Sequence, residues 1–221
     1  MIIATSCYYE DDPGPKQNDI RTYSLANFNR LEIGDAFVVT VRKGLVYSVI
    51  AECDRRNLDD LQIFISGSSL VARYDEVRNR QYHTYITITL PELTAVNFSG
   101  AVNATVSDFN ATRFDAVLSG ASLAQMNIQS TEMFVNISGA SQLRLTGEGE
   151  KIEGIVSGAS LVDTFNYPVR SVKLTVSGAS SGKITVSELL RGDVSGASVI
   201  VYRGNPSVET SVSGSSIVRK D

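Results

Sequence analysis

The sequence predicts an all-β chain wound as a single-stranded, right-handed parallel β-helix, a solenoid with about 18–20 residues per coil. Three observations carry that reading. A four-residue phrase returns as Ser119-Gly120-Ala121-Ser122, Ser138-Gly139-Ala140-Ser141, Ser157-Gly158-Ala159-Ser160, Ser177-Gly178-Ala179-Ser180, Ser195-Gly196-Ala197-Ser198 and Ser213-Gly214-Ser215-Ser216, led by the looser Ser99-Gly100-Ala101-Val102. Its first serines, 99, 119, 138, 157, 177, 195 and 213, follow one another at steps of 20, 19, 19, 20, 18 and 18 residues. A period near 20 is the mark of a stacked repeat. Second, apolar columns hold register with the phrase: the preceding position is Phe98, Leu118, Ile137, Val156, Val176, Val194 and Val212, and positions five and seven after the first serine keep a strand's two-residue alternation. Third, no stretch shows a helical period.

A segment of this length cannot enclose a core, but stacked coils pair in parallel and line up their inward side chains. At about 4.8 Å per layer, seven coils make a rod section roughly 34 Å long. Parallel crossovers are right-handed as a rule. The phrase is then the corner. Gly100, Gly120, Gly139, Gly158, Gly178, Gly196 and Gly214 supply a backbone angle other residues resist, the alanines fit the inside of a tight bend, and the serines bond to the backbone or to their counterparts in adjacent coils. Coil length varies eight to thirteen residues past the first serine, where Gly147, Gly149, Pro168 and Gly204-Asn205-Pro206 fall, so that segment reads as a loop.

Taken in order, residues 1–20 form a leader and tether. Met1-Ile2-Ile3-Ala4-Thr5-Ser6-Cys7 resembles the end of a bacterial lipoprotein signal, in which the cysteine is lipidated, although it lacks a basic segment and a full apolar length. The acidic Glu10-Asp11-Asp12 that follows resembles the surface-export signal of Bacteroidetes lipoproteins. The expectation is a lipid anchor at Cys7 and a place in the cell envelope, as an outer-membrane lipoprotein or at the cell surface. The alternative is a solvated tail with an incidental cysteine. Residues 21–95 read as an irregular β lead-in or cap to the same domain. Phe37–Val41, Leu45–Ala51, Leu61–Ile65 and Tyr82–Leu90 are strand-like, with turns at Gly34-Asp35 and Lys43-Gly44 and a short turn or helical corner at Asn57–Leu61. Ser66-Gly67-Ser68-Ser69 looks like an early, out-of-register copy of the phrase. Residues 96–221 carry the regular coils.

Composition narrows the function. The 221 residues include 20 basic and 24 acidic side chains, a net charge of −4, with no basic stripe, which argues against a nucleic-acid partner. No apolar run reaches the length of a membrane-spanning helix, so membrane contact is expected only through a lipid anchor. There is no Trp and a single histidine, His83. Cys53 sits in a strand-like run and reads as a small core residue, and one Cys7–Cys53 pair would be no disulfide framework. Asp59-Asp60 reads as a solvated turn rather than a catalytic pair, and His83 with Tyr85 as a polar outer strand face rather than a glycan-stacking one. Acidic residues in the repeats recur in no single column, which disfavours the paired carboxylates of a glycosidase or the calcium cluster of a lyase. No catalytic, metal or cofactor residue is assigned, and no cofactor is expected.

The serial Ser-Gly-Ala-Ser corners, after a β-rich lead-in such as Phe28-Asn29-Arg30-Leu31-Glu32-Ile33, resemble the autotransporter-adhesin head (GIN domain) family of Bacteroidetes over roughly residues 21–221. That resemblance implies a right-handed β-helix, related in shape to pectin lyases without their catalytic residues, and adhesion at the cell surface. It implies host or bacterial surface glycans or proteins as partners, and leaves homo-oligomerisation open. The family is better known in Gly-Ser-Gly form, and alanine in place of the second small residue is a mild departure. The competing readings are a purely structural envelope protein and, less favoured, a polysaccharide-acting β-helix enzyme.

Overall fold

The computed structural model describes residues 14–221 and is a parallel β-solenoid of about 7 turns. Strands β1 (Asn18–Tyr23), β2 (Arg30–Ile33), β3 (Val38–Lys43) and β4 (Ser48–Asp54) precede a short helix, α1 (Arg55–Asp59). After it come β5 (Leu61–Ser66), β6 (Ser69–Tyr74), β7 (Tyr85–Leu90) and β8 (Ala95–Phe98). Five long strands make the body: β9 (Asn103–Leu118), β10 (Leu123–Ile137), β11 (Gln142–Val156), β12 (Leu161–Val176) and β13 (Ser181–Val194). Three short ones, β14 (Val199–Arg203), β15 (Ser207–Val212) and β16 (Ile217–Lys220), finish the described chain.

Each long strand bends through most of a coil and is interrupted only at the Ser-Gly-Ala-Ser corner. The segment after a corner stacks into a first flank, ordered β1-β4-β7-β3-β9-β10-β11-β12-β13-β14-β16. The segment before a corner stacks into a second flank, in which β5 pairs β6, β6 pairs β2, β2 pairs β8 and β8 pairs β9, with β15 closing on β13. The first coil laid down, β2–β3, is therefore not the outermost. The chain leaves it, returns through β6–β7 on its outer side, and then resumes at β8–β9 on its inner side. The outer side is closed by antiparallel pairings of β4 with β7, β1 with β4 and β5 with β6. α1 completes this cap, with Leu58 fully buried beneath it. Asp54 caps the helix by accepting from the Arg56 backbone N–H at 3.0 Å, and its carboxylate also accepts from Arg56 Nε at 2.7 Å. That contact with Arg56 holds the Asp54 carboxyl well below the usual carboxylate range.

The core is a set of side-chain columns. Ile33, Phe98, Leu118, Ile137, Val156, Val176 and Val194 lie in register on the second flank, all buried. Val39, Ala104, Ala124, Leu143, Val162 and Ile200 form the matching column of the first flank, with Gly182 completing it. Free Cys53 is buried within the cap, its thiol donating to the His83 carbonyl oxygen at 3.1 Å.

At the corner, the seven glycines adopt φ between +69° and +81°. They are held there from both sides: a Cβ on Gly120 would stand 2.3 Å from the Gly100 carbonyl oxygen, which already accepts from the Ala121 N–H at 2.7 Å. The alanines are not on the inside of the bend; Ala121, Ala140, Ala159, Ala179 and Ala197 are exposed. The inward position is the second serine. Ser122, Ser141, Ser160, Ser180 and Ser198 are all buried. Ser180 Oγ donates to the Gly158 carbonyl at 3.2 Å and accepts from the Ser160 N–H at 3.4 Å, and the same pair of contacts is spread along the column. The reason is satisfaction of buried polar groups: a corner serine accepts from a neighbouring serine's N–H and gives its own hydroxyl proton to a glycine carbonyl that has a second lone pair free beside the alanine N–H bond.

Two further sequence expectations change. Ser66-Gly67-Ser68-Ser69 is no copy of the corner but the turn of the β5–β6 hairpin, with Ser66 opposite Ser69 and Gly67 at φ +59°. The true first corner is Gly34-Asp35-Ala36-Phe37, with Asp35 at φ +58° in the glycine position and its carbonyl accepting from the Ala101 N–H at 2.6 Å. A side chain fits there because the layer outside it has the loop 75–84 in place of a tight corner. The variable segment containing Gly147, Gly149 and Pro168 is continuous strand in β11 and β12, bent by register shifts; only Gly204-Asn205-Pro206 lies outside a strand.

Candidate functional site: a polar trough along the third edge

Opposite the corners, where each coil turns from the first flank to the second, the layers do not repeat. Register shifts fall between Met126 and Ile128, between Arg144 and Thr146, and on both sides of Val169. β9 bends with Asp108 at φ +70° and turns Phe109 into the core. β11 crosses this edge on Gly147 and Gly149. Gly147 has φ +117°, and a Cβ there would meet the Ile128 carbonyl oxygen at 2.1 Å. The glycine-built layer lies low, and the result is a recess of about 630 Å³ walled by Asn110 and Thr112 from β9, Gln129 and Thr131 from β10, Glu148 and Glu150 from β11 and Pro168 from β12.

A second recess of about 690 Å³ shares Asn110, Ala111 and Thr112 and continues toward the cap, between Arg30, Lys43, Glu92 and Arg113. It exists because β3 ends at Lys43 and the chain departs for β4, leaving this edge of the first coil to the connection at Pro91–Thr94. Together the two form a trough crossing four layer steps, about 19 Å at 4.8 Å per layer. Its cap end carries the basic side chains, with Arg113 donating to Asp115 at 2.9 Å, and its far end carries Glu148 and Glu150.

The floor is fixed by Tyr167, fully buried. It reaches back across Gly149 so that its hydroxyl lies 2.8 Å from Ser130 Oγ. A Cβ on Gly149 would stand 2.6 Å from that hydroxyl, so the glycine makes room for the ring. Burial pushes the Tyr167 phenol pKa up, keeping it a neutral hydrogen-bonding group. Sequence reasoning missed Tyr167. The register of β11 with β12 is 20 residues on both sides of it, Thr146 with Asn166 and Lys151 with Ser171, so the available signal was a bulky aromatic one coil after Gly147.

The remaining sequence candidates lie elsewhere. Asp59 pairs with Arg21, and Asp60 with Arg80 and Arg78, so the two carboxylates face different cations. His83 borders a separate recess of about 270 Å³ at the cap, with Asp35, Tyr74, Arg78, Arg80 and Tyr82, while Tyr85 points outward on β7. Burial pushes the Tyr74 phenol up to about 12. Glu148 and Glu150 are brought together in the trough, flanking Gly149. Among the described residues no three of His, Cys, Asp or Glu converge to hold a metal ion. Cys7 lies outside the described residues.

No curated protein matches the chain. Its fold is similar to that of a putative adhesin from Bacteroides fragilis, at 18% identity and a TM-score of 0.81 over 94% of this chain and 98% of that one. A putative adhesin from Parabacteroides distasonis is similar at 14% identity and a TM-score of 0.75, covering 94% and 98%. A putative lipid binding protein from the same organism is similar at 14% identity and a TM-score of 0.69, covering 92% and 96%. The family model described as "Putative auto-transporter adhesin, head GIN domain" matches residues 27–206. The chain belongs to that family.

Proposed function

We propose that this protein is a non-catalytic contact module of the cell surface, held in the outer membrane through a lipid on Cys7, and that it takes a segment of surface glycan along the third-edge trough. The trough carries the proposal. It is long and open, and it is lined by amides, hydroxyls and carboxylates on rigid strands, a set suited to the hydroxyl-rich side of a polysaccharide chain. A lipid, the ligand class in one relative's name, suits this polar lining less well. The non-catalytic reading rests on the carboxylates recurring in no single column of the repeats and on His83 bordering a separate recess at the cap, away from Glu148 and Glu150, which stand exposed on β11. Among the described residues no helix is long and apolar enough to cross a membrane, which fits attachment by lipid.

The test is a glycan array probed with the purified chain and with Asn110→Ala/Gln129→Ala. Binding that falls at least tenfold in the variant supports the trough. Binding unchanged by the variant moves the contact elsewhere, and no binding to any host or bacterial polysaccharide leaves a structural envelope rod as the better reading. Labelled palmitate incorporation into the wild type, lost in Cys7→Ala, tests the anchor; equal labelling of the two would remove it.

A further inference from the structure

The two ends of the stack are built differently. The cap end is closed by β1, β4, β5 and α1. At the other end, within the described residues, β15 pairs with β13 alone and β16 with β14 alone, so each keeps an edge of unpaired N–H and C=O groups. The inward columns also emerge here. The one that is at most 1% exposed from Ile33 to Val194 reaches Val212 at 46%, and Leu190, fully buried, is followed by Val208 at 41%. An open edge with half-exposed valines is a template for another strand.

We infer that this end is a self-docking surface, on which a second copy of the chain lays its own β15 antiparallel to this one. The occupant is chosen by the strand's pattern. The inner face of β15 reads Val208, Thr210, Val212, and it is symmetric about Thr210. With Thr210 opposite the second copy's Thr210, Val208 meets Val212, both valine pairs face inward, and Glu209 lies opposite Ser211. Valine–valine and threonine–threonine cross-strand pairs are favourable. The neighbouring registers are worse. A one-residue slip sets inner side chains against outer ones, and centring the pair on Glu209 opposes two carboxylates and sets valine against threonine. The chosen register is also isologous: it uses the same edge on both copies and closes at two, so no edge of β15 is left to propagate a filament. The trough, between the layers of β3 and β12, is not covered, and the dimer would present two of them. This inference does not depend on what the trough binds.

The test uses the full chain carrying Cys7→Ser, since Cys53 is buried. The wild-type interface predicts that sedimentation equilibrium shifts from the mass of one chain to that of two with rising concentration, and Val212→Glu returns it to one with the melting temperature kept. In an antiparallel pair, facing Cα atoms lie about 4.5–5.5 Å apart, within the span of a disulfide. Thr210→Cys therefore forms a dimer on a non-reducing gel under mild oxidation, while Thr131→Cys in the trough does not. A chain that stays monomeric at every concentration, with Thr210→Cys uncrosslinked, overturns the inference. So does a dimer that survives Val212→Glu without crosslinking through residue 210, or a mass that climbs beyond two chains.

Discussion

Gly139→Ala separates two reasons for glycine at the corners. At φ +75°, an alanine pays the left-handed backbone cost of about 1–2 kcal/mol. The second cost is stacking. The new Cβ would stand 2.3 Å from the Gly120 carbonyl oxygen, so the coils must part there, and the Ala140 N–H bond to that oxygen, 2.7 Å, stretches with them. One weakened backbone bond costs about 0.5–1.5 kcal/mol, and the displaced coil loses close packing in the adjoining columns. The total expected is about 3–4 kcal/mol, a large effect for one methyl group. The control is Gly67→Ala, in the β5–β6 turn: φ is +59°, and nothing lies within 4 Å of the added Cβ, so only the backbone cost applies. Urea denaturation of both variants reads the difference, and thermal melts should show Gly139→Ala lower by roughly 10 °C. Equal destabilisation of the two would refute the stacking account.

The acid limb of stability tests the cap. Asp54 has its folded pKa depressed by Arg56, so its contribution is fully present above the ordinary aspartate value and is lost as pH falls toward the folded one. Wild type should therefore lose stability between about pH 5 and pH 3 that Asp54→Asn, which keeps a capping side chain, does not lose; parallel pH profiles would count against it. At the trough floor, Tyr167→Phe removes the hydroxyl that meets Ser130 and should cost about 1–3 kcal/mol by leaving a buried hydroxyl unsatisfied. The double variant Tyr167→Phe/Ser130→Ala should recover part of that loss, and a double-mutant cycle in urea would show no coupling if the two hydroxyls act independently.

The regular half of this fold is legible because its physics repeats. Every coil must turn at the same place, so Gly120, Gly139, Gly158 and Gly178 recur at steps of 19 or 20 residues, and the inward column just before the turn stays apolar, so Leu118, Ile137, Val156 and Val176 recur with them. What the letters do not carry is which side of the corner faces in. Alanine is apolar and serine polar, yet serine is buried, because the inside of the corner has backbone groups to satisfy and the outside has none. The first coil escapes notice for a different reason. Gly34-Asp35-Ala36-Phe37 has the corner's shape without its letters, since Asp35 tolerates a left-handed backbone at the bottom of the column and Phe37 replaces the serine. Ser66–Ser69 has the letters without the shape, because a hairpin turn also favours glycine and serine.

The trough was illegible because it is made of departures from the repeat. Gly147, Gly149 and Pro168 are the usual vocabulary of a loop, yet here they let a strand bend through a layer without leaving the sheet. The corner serines show why a site would form there rather than at the phrase. Each corner is bonded to the coil on either side: Gly139 accepts from the Ala159 N–H at 2.8 Å, and its neighbour Ala140 donates to the Gly120 carbonyl oxygen at 2.7 Å. A change at one corner is felt by its neighbours, which leaves little freedom to shape a surface for a ligand. The third edge keeps strand pairing in some layers, as of Gln129 with Glu148, but its register shifts between others. It absorbs register shifts, an added aromatic such as Tyr167 and a missing side chain such as that of Gly149, and each alters the outer surface while the columns beneath stay buried. In a stacked fold the repeated positions hold the rod, and the capacity to recognise a partner gathers where the repeat is allowed to fail.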